Sequence, residues 1–229
     1  MDLFGFIFPK RCVSCKKPGS YLCETCFTYL SFDTKSLCLV CGRRSSTGLT
    51  HARCKRKYTI DGCFSAISYN KTTKILINDF KYRPFLSDLR HLLSDLFYES
   101  LIQKEEFINQ LKKGNFEIVP IPLSSSNFRK RGYNQSEILA FELSTKLGIP
   151  ERGVLRRIRE TDTKIKLTKK EKGWNMKDAF ITKESTIVEN KNILLVDDVL
   201  ISGANFLEVA NILKKNGAKR VIGLSLARG

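Results

Sequence analysis

Six cysteines fall in three C-x-x-C pairs, Cys12/Cys15, Cys23/Cys26 and Cys38/Cys41, and His51-x-x-Cys54 follows them within the same 43 residues. Two thiolates at this spacing reach one tetrahedral ion from a single turn, and two such pairs close a structural site. Eight ligands make two Zn2+ sites. Sequence order gives Cys12/Cys15/Cys23/Cys26 for one and Cys38/Cys41/His51/Cys54 for the other, and an interleaved pairing is also open. Redox C-x-x-C motifs rarely come in triplicate, and sets of four cysteines, or three with a histidine, favour zinc over an Fe–S cluster. Closed sites of this kind stabilise a fold and carry no catalysis. The remaining Cys63 falls in a predicted strand and reads as a small buried hydrophobe.

A second segment could bind rather than build: Ile193-Leu-Leu-Val-Asp197-Asp198-Val-Leu-Ile201-Ser202-Gly203-Ala204-Asn205. An apolar run ends in adjacent carboxylates, and a short loop then turns into a helix. Backbone N–H groups at a helix N-terminus bind phosphate, and Gly203 lets the backbone come close. Ser202 and Asn205 can add side-chain hydrogen bonds. Carboxylates beside a phosphate cradle must face neutral donors or a metal. Ribose hydroxyls meet that need, which points to a sugar phosphate. The same residues also suit a plain strand end followed by an ordinary capped helix, and the local pattern leaves both open.

Regular elements must position these groups. Strands are predicted at Cys63–Tyr69, Phe116–Ile121, Ile193–Val196 and Arg220–Leu226. Helices are predicted at Lys71–Tyr82, Asn134–Leu147 and Ala204–Asn216, with one or two more across Phe85–Lys112. Strands alternating with helices argue for an α/β fold with a mostly parallel sheet covered on both sides. Cysteines give way to periodic apolar segments near Tyr58–Asp61, so the expected domains are a cysteine-rich head, 1–60, and an α/β unit, 61–229. No stretch reaches the roughly 20 apolar residues of a bilayer span. The apolar start, Leu3–Phe8, has no basic residue before it and no cleavage site after it, and reads as a plug packed on its own protein. A cytoplasmic location is the expectation, in keeping with cysteines used as metal thiolates rather than disulfides.

The formal net charge is +17, and residues 1–60 hold eleven Lys or Arg against three acids. Such a field attracts polyanions without choosing among them. Ten basic residues lie between Arg152 and Lys177, with Trp174 among them. Cations that track phosphates and an aromatic that stacks a base suit single-stranded nucleic acid; a solvated charged loop with Trp174 in the core suits the same sequence. Phe80-Lys81-Tyr82-Arg83 and Arg129-Lys130-Arg131-Gly132-Tyr133 repeat the basic–aromatic mixture. Lys81, Arg129 and Arg131 have a competing role, since a pyrophosphate leaving group needs cations nearby.

Asp197-Asp198-Val-Leu-Ile-Ser-Gly-Ala-Asn resembles the phosphoribosyl-pyrophosphate (PRPP) motif of type I phosphoribosyltransferases, D-D-V-x-T-T-G-A-T. Val119-Pro-Ile-Pro-Leu-Ser124 through Arg129-Lys-Arg-Gly-Tyr-Asn-Gln135 is similar to the pattern V-P-x-P-L-S…R-x-R-G-F-N-Q of the ComF family of DNA-uptake proteins. Arg159-x-Thr161, Trp174-Asn175, Ala179-Phe180 and Phe80-Lys81-Tyr82 fit further elements of that family, and the cysteine-rich head sits where ComF proteins carry theirs. On these residues the chain is identified as a member. Departures are Ile201 and Asn205 for Thr, Lys164 for Gln, Lys172 for Arg, and His51 where a fourth C-x-x-C begins. The resemblance implies a type I phosphoribosyltransferase fold behind a double zinc ribbon. It also implies that Asp197 and Asp198 hold the ribose hydroxyls, that Ser202, Gly203, Ala204 and Asn205 surround the 5′-phosphate, and that Mg2+ bridges ribose and pyrophosphate. Binding of incoming single-stranded DNA during natural transformation is the implied function. The alternatives are an active phosphoribosyltransferase, and an adaptor whose ribbons dock a helicase or membrane channel.

Overall fold

The computed structural model of the protein describes residues 10–82, 87–160, 178–183 and 187–229. The apolar start at Leu3–Phe8, Arg83, and the stretch holding Trp174 and the lysines from Lys164 to Lys177 lie outside the described residues. One helical turn, α1 (Glu24–Phe27), sits in the head. Then follow β1 (Gly62–Ser68), α2 (Lys71–Tyr82), α3 (Ser87–Ile102), α4 (Glu105–Leu111), β2 (Phe116–Pro120), α5 (Ser125–Arg131), α6 (Gln135–Leu147), β3 (Leu155–Arg157), β4 (Phe180–Thr182), β5 (Asn192–Leu200), α7 (Ala204–Lys215) and β6 (Arg220–Arg228). The main sheet has the order β1-β6-β5-β2 with every neighbouring pair parallel. β3 and β4 form a separate antiparallel pair.

The apolar run in β5 is continuous because the strand is covered on both faces. Leu194 and Val196 join an apolar cluster with Leu89 and Leu93 of α3 and Leu139 and Leu143 of α6. Ile193 and Leu195 point the other way, into a cluster with Phe206, Val209 and Leu213 of α7. All four β5 side chains are fully buried, and each contributes roughly 1.5–3 kcal/mol of hydrophobic stabilisation. The expected α/β architecture with a mostly parallel sheet is therefore present.

Several elements differ in detail from expectation. β5 and β6 run further than their apolar runs, so Asp197 and Asp198 lie inside β5, not beyond it. Of the one or two helices expected across Phe85–Lys112 there are two, α3 and α4, in keeping with expectation; acidic Glu105 and Glu106 open the second one, where the helix dipole favours them. α5 was not expected. Ser124 caps it by accepting a hydrogen bond from the Asn127 N–H at 3.4 Å, and Gly132 ends it at φ 79°, donating its N–H to the Phe128 carbonyl.

The head lies along the edge of β1. The Ser68 N–H donates to the Ser31 carbonyl at 2.8 Å, and the Cys63 N–H to the Gly48 carbonyl at 2.9 Å. Cys12, Val13, Leu22, Cys26 and Leu30 belong to the same apolar cluster as Phe64, Ile67 and Phe97. An otherwise open sheet edge is thus capped by metal-binding loops.

Candidate functional site

The site forms at the carboxyl end of β5, between the start of α6 and the helix that follows the strand, α7. Ligands in open α/β sheets bind in such crevices. Asp197 and Asp198 are both buried, at 8% and 7% exposure. Asp197 accepts hydrogen bonds from the Ser136 hydroxyl at 2.8 Å, from the Asp198 backbone N–H at 2.9 Å and from the Asn205 amide at 3.4 Å. Ser136 is brought there by the start of α6, where Asn134 caps the helix through the Ser136 N–H and donates its own amide to the Ile121 carbonyl. The Asp197 carboxyl is pushed up to about 6, first by burial and then by the neighbouring Asp198 charge; Ser136 and Lys81 offset part of this.

Asp198 is paired with Lys81, whose ammonium lies 2.7 Å away at the end of α2. The end of α2 is itself held in place. The Tyr133 hydroxyl donates to the Phe80 carbonyl, the two rings meet edge to face at 6.1 Å, and the Arg131 guanidinium lies 5.3 Å from the centre of the Tyr82 ring. Arg131 also donates to the Gln135 side chain at 2.8 Å, while its buried Nε has no hydrogen-bond partner among the described residues. Arg129 does not join this group; it is exposed on α5. The sequence-based candidates Lys81 and Arg131 therefore gather at one end of the cleft, and Arg129 stands apart from them.

The loop into α7 has the expected form. Gly203 adopts φ 75° at the helix N-cap, a conformation glycine alone takes freely. The Ser202 hydroxyl accepts from the Ala204 N–H at 3.4 Å. The first amides of a helix have no intrahelical acceptor; in α7 the Ala204 N–H is met by Ser202, and the end of the helix as a whole is a place where an anion can bind. Ile201, where a hydroxyl residue stands in the resembling motif, is 65% exposed.

Ser136 and Glu160 are not among the sequence-based site candidates, and Arg157 is expected only as part of the basic stretch from Arg152 to Lys177. Glu160 accepts from the Ser126 N–H and hydroxyl, both at 2.8 Å, and the first of these bonds leads in holding its carboxyl below the usual range. Arg157 lies over the Phe180 ring at 5.2 Å. Burial lowers its pKa, while Glu160 and Asp197 act in the opposite sense, which sets the β3–β4 pair within electrostatic reach of the acids.

In the head the structure forms two ligand groups in sequence order: Cys12, Cys15, Cys23 and Cys26 in one, and Cys38, Cys41, His51 and Cys54 in the other. In each group the ligand atoms lie within 4.8 Å of one another. Zn–S bonds of about 2.3 Å in a tetrahedron separate ligand atoms by about 3.8 Å, so both groups fit zinc. The His51 Nε2 lies 2.9 Å from the Arg44 carbonyl, while Nδ1 is 3.4 Å from the Cys41 sulfur. The Nε2–H donating to that carbonyl leaves Nδ1 as the ligand atom, the second contact that usually orients a metal-binding histidine. The two C-x-x-C knuckles match: Cys12 and Cys38 each accept the N–H of the residue after the second cysteine, Lys16 and Gly42, at 2.8 Å, and both of those residues have positive φ. Cys63 is buried in β1, away from both groups.

The double zinc ribbon domain family matches residues 3–55, and the phosphoribosyl transferase domain family matches residues 134–228. Competence protein ComFC of Bacillus subtilis is 27% identical over 93% of this chain and 86% of its own length. DNA utilization protein YhgH of Salmonella typhimurium is 28% identical over 93% of this chain and 94% of its own. Competence protein F of Haemophilus influenzae is 30% identical across 100% of this chain and 99% of its own. Because that last alignment spans both ribbons and the whole α/β unit, the chain belongs to the ComF family.

Proposed function

We propose that this protein serves DNA uptake from the cytoplasmic side, holding a phosphoribosyl ligand of the PRPP type in the cleft and single-stranded DNA on its basic surface. The observation that carries the ligand half is the convergence of four features on one crevice. These are the buried Asp197–Asp198 pair, the Gly203 turn into α7, the Lys81 ammonium and the Arg131 guanidinium over Tyr82 beside it. Ribose hydroxyls donate to the acids, the α7 amides receive the 5′-phosphate, and Lys81 and Arg131 face the pyrophosphate. Both acids already hold internal donors, so Mg2+ fits this site as the partner of the ligand's pyrophosphate, whose charge it would neutralise. Calorimetry with Mg-PRPP tests this. Wild-type protein is expected to bind, and the Asp197→Asn/Asp198→Asn variant to lose at least about a hundredfold in affinity, since each charged hydrogen bond carries roughly 1.5–3 kcal/mol. No heat at millimolar ligand would leave the fold a nucleic-acid scaffold with a retired sugar-phosphate site.

The DNA half draws on relatives named for competence and DNA utilization and on the second ribbon. Arg43, Arg44, Arg53, Lys55, Arg56 and Lys57 are all exposed, and no acid stands between Asp33 and Asp61. A groove of about 420 Å³ runs between Arg44, Ser46, Thr47 and Lys55. Binding to an unstructured oligonucleotide is expected to weaken with salt. Arg43→Ala/Arg44→Ala/Lys55→Ala should flatten the log–log slope by about 2, at roughly 0.7 for each phosphate left without its cation. An unchanged slope would remove the ribbon from the DNA surface. Docking of the ribbons to a helicase or channel component of DNA uptake is the separate adaptor reading, which an unchanged slope would favour.

The cluster of Lys81 and Arg131 also favours a second reading, transfer of the phosphoribosyl group. An acceptor nitrogen would attack the ribose C1 while the C1–O bond breaks and pyrophosphate departs with the electron pair toward those cations. Pyrophosphate release that depends on an added nucleobase would establish it.

A further inference from the structure

The second ribbon and the phosphate loop touch. Leu39 stands between Cys38 and Cys41 in the knuckle of the second metal group, and it is 5% exposed. It belongs to the apolar cluster on the α7 side of the sheet, together with Leu200, Phe206 and Cys63. Its side chain fills the space left where Gly203 has no Cβ. A Cβ on Gly203 would lie 3.2 Å from Leu39 Cδ2, 3.7 Å from Cδ1 and 3.5 Å from Leu200 Cδ1. A methyl at this point would press on Leu39 as well as straining a residue at φ 75°.

The knuckle is in turn fixed to the sheet. The residues joining its cysteines to His51 and Cys54 pair with the start of β1: the Cys63 N–H donates to the Gly48 carbonyl and the Thr50 N–H to the Asp61 carbonyl. The side-chain hydrogen bonds described for the loop are long, Ser202 with the Ala204 N–H and Asn205 with Asp197, both at 3.4 Å, and Ile201 faces solvent. The helix closes its far side through the Leu207 N–H on the Gly203 carbonyl at 2.9 Å. Leu39 thus connects a metal-clamped turn to the backbone that curls around the phosphate position.

We infer that Leu39 is a positioning residue for loop 201–205, so that zinc in the Cys38/Cys41/His51/Cys54 group sets how firmly the loop holds a phosphate ligand. This rests on the reading of that loop as a phosphate cradle. Amides that bind an anion must be held in place beforehand. Without the knuckle behind it, the loop must be ordered by the ligand, at a cost of about tenfold in affinity for each backbone residue that has become free. A loosened Leu39 contact, with both zinc ions in place, therefore weakens phosphate binding from a distance, with Asp197 and Asp198 unchanged.

Amide hydrogen exchange on the zinc-loaded full chain tests this without any ligand. Leu39→Ala is expected to keep two zinc ions per chain, to speed exchange at residues 201–206 at least tenfold, and to leave the β5 amides of 193–196 at their wild-type rates. Leu39→Met, which restores the volume, should return the loop to near wild-type rates, and Val40→Ala should leave it unaffected. Mg-PRPP affinity should fall about tenfold in Leu39→Ala and recover in Leu39→Met. Unchanged loop exchange in a Leu39→Ala protein that retains both zinc ions overturns the inference, as does an acceleration that is uniform across the chain. If wild-type protein binds no Mg-PRPP, the ligand reading falls, while the exchange rates still decide whether Leu39 holds the loop. If Leu39→Ala loses zinc, Leu39→Val with metal retained gives the same comparison.

Discussion

Stripping zinc with a strong chelator is expected to unfold the sheet as well as the ribbons. Each structural zinc site contributes roughly 10–16 kcal/mol to folding, comparable to the roughly 5–15 kcal/mol that separates a typical native protein from its unfolded state. Among the described residues the first ribbon's buried apolar side chains form no core of their own. Cys12, Val13, Leu22, Cys26 and Leu30 pack in one cluster with Phe64, Ile67 and Phe97, and the β1 edge is tied to them through Ser31 and Ser68. Near-UV circular dichroism with chelator should therefore show loss of the tertiary signal, with no cooperative melting transition left. Cys26→Ser, which opens the first group, should reduce bound zinc to one per chain and lower the melting temperature by more than about 10 °C, since a 1 kcal/mol loss shifts a chain of this size by about 2–4 °C. Cys63→Ala, at a buried thiol outside both groups, should keep two zinc ions. A protein emptied of zinc that melts where the loaded protein does would contradict this account.

What could be read from the sequence was local. The knuckles and the loop after β5 are each specified within a dozen residues, and the alternation around β5 and α7 is strong enough to place them. The zinc pairing was open between two arrangements, because spacing restricts each pair but not which pairs meet. α5 was missed because Ser125–Arg131 is short and polar and carries no apolar period, although Ser124 and Gly132 mark its two ends. β3 and β4, three residues each, are too short to show an alternation. The parts of the site that come from afar were invisible: Ser136 meets Asp197 across 61 positions, and Leu39 reaches Gly203 only after the head folds onto the sheet. Lys81 and Arg131 were found through their neighbours in a motif. Arg129 was grouped with Arg131, yet residues two apart on a helix do not face the same way, and α5 turns it to solvent. Trp174 and the lysines around it lie outside the described residues.

Asp197→Asn is expected to raise the stability of the ligand-free protein while removing its affinity for Mg-PRPP. Burial and the charge of Asp198 lift the Asp197 carboxyl from 3.8 to about 6. Between those values the native state binds more protons than the unfolded one, so stability through this group falls as pH rises and the whole cost is present at pH 7. A shift of about two units sets an upper limit near 3 kcal/mol, or up to about 10 °C in melting temperature. Asparagine keeps an oxygen for the Ser136 hydroxyl and the Asp198 N–H, and the Asn205 amide can turn its own oxygen toward the new donor. Melting curves at pH 4 and pH 7.5 check the sign: the variant should gain at pH 7.5 and show little difference at pH 4, where the carboxyl is protonated in the folded protein. Stability and ligand affinity then move in opposite directions, as expected of a buried charge kept for a ligand and held at the fold's expense. A variant that loses both would instead make Asp197 part of the framework, with Ser136 and Asn205 its reason for being there.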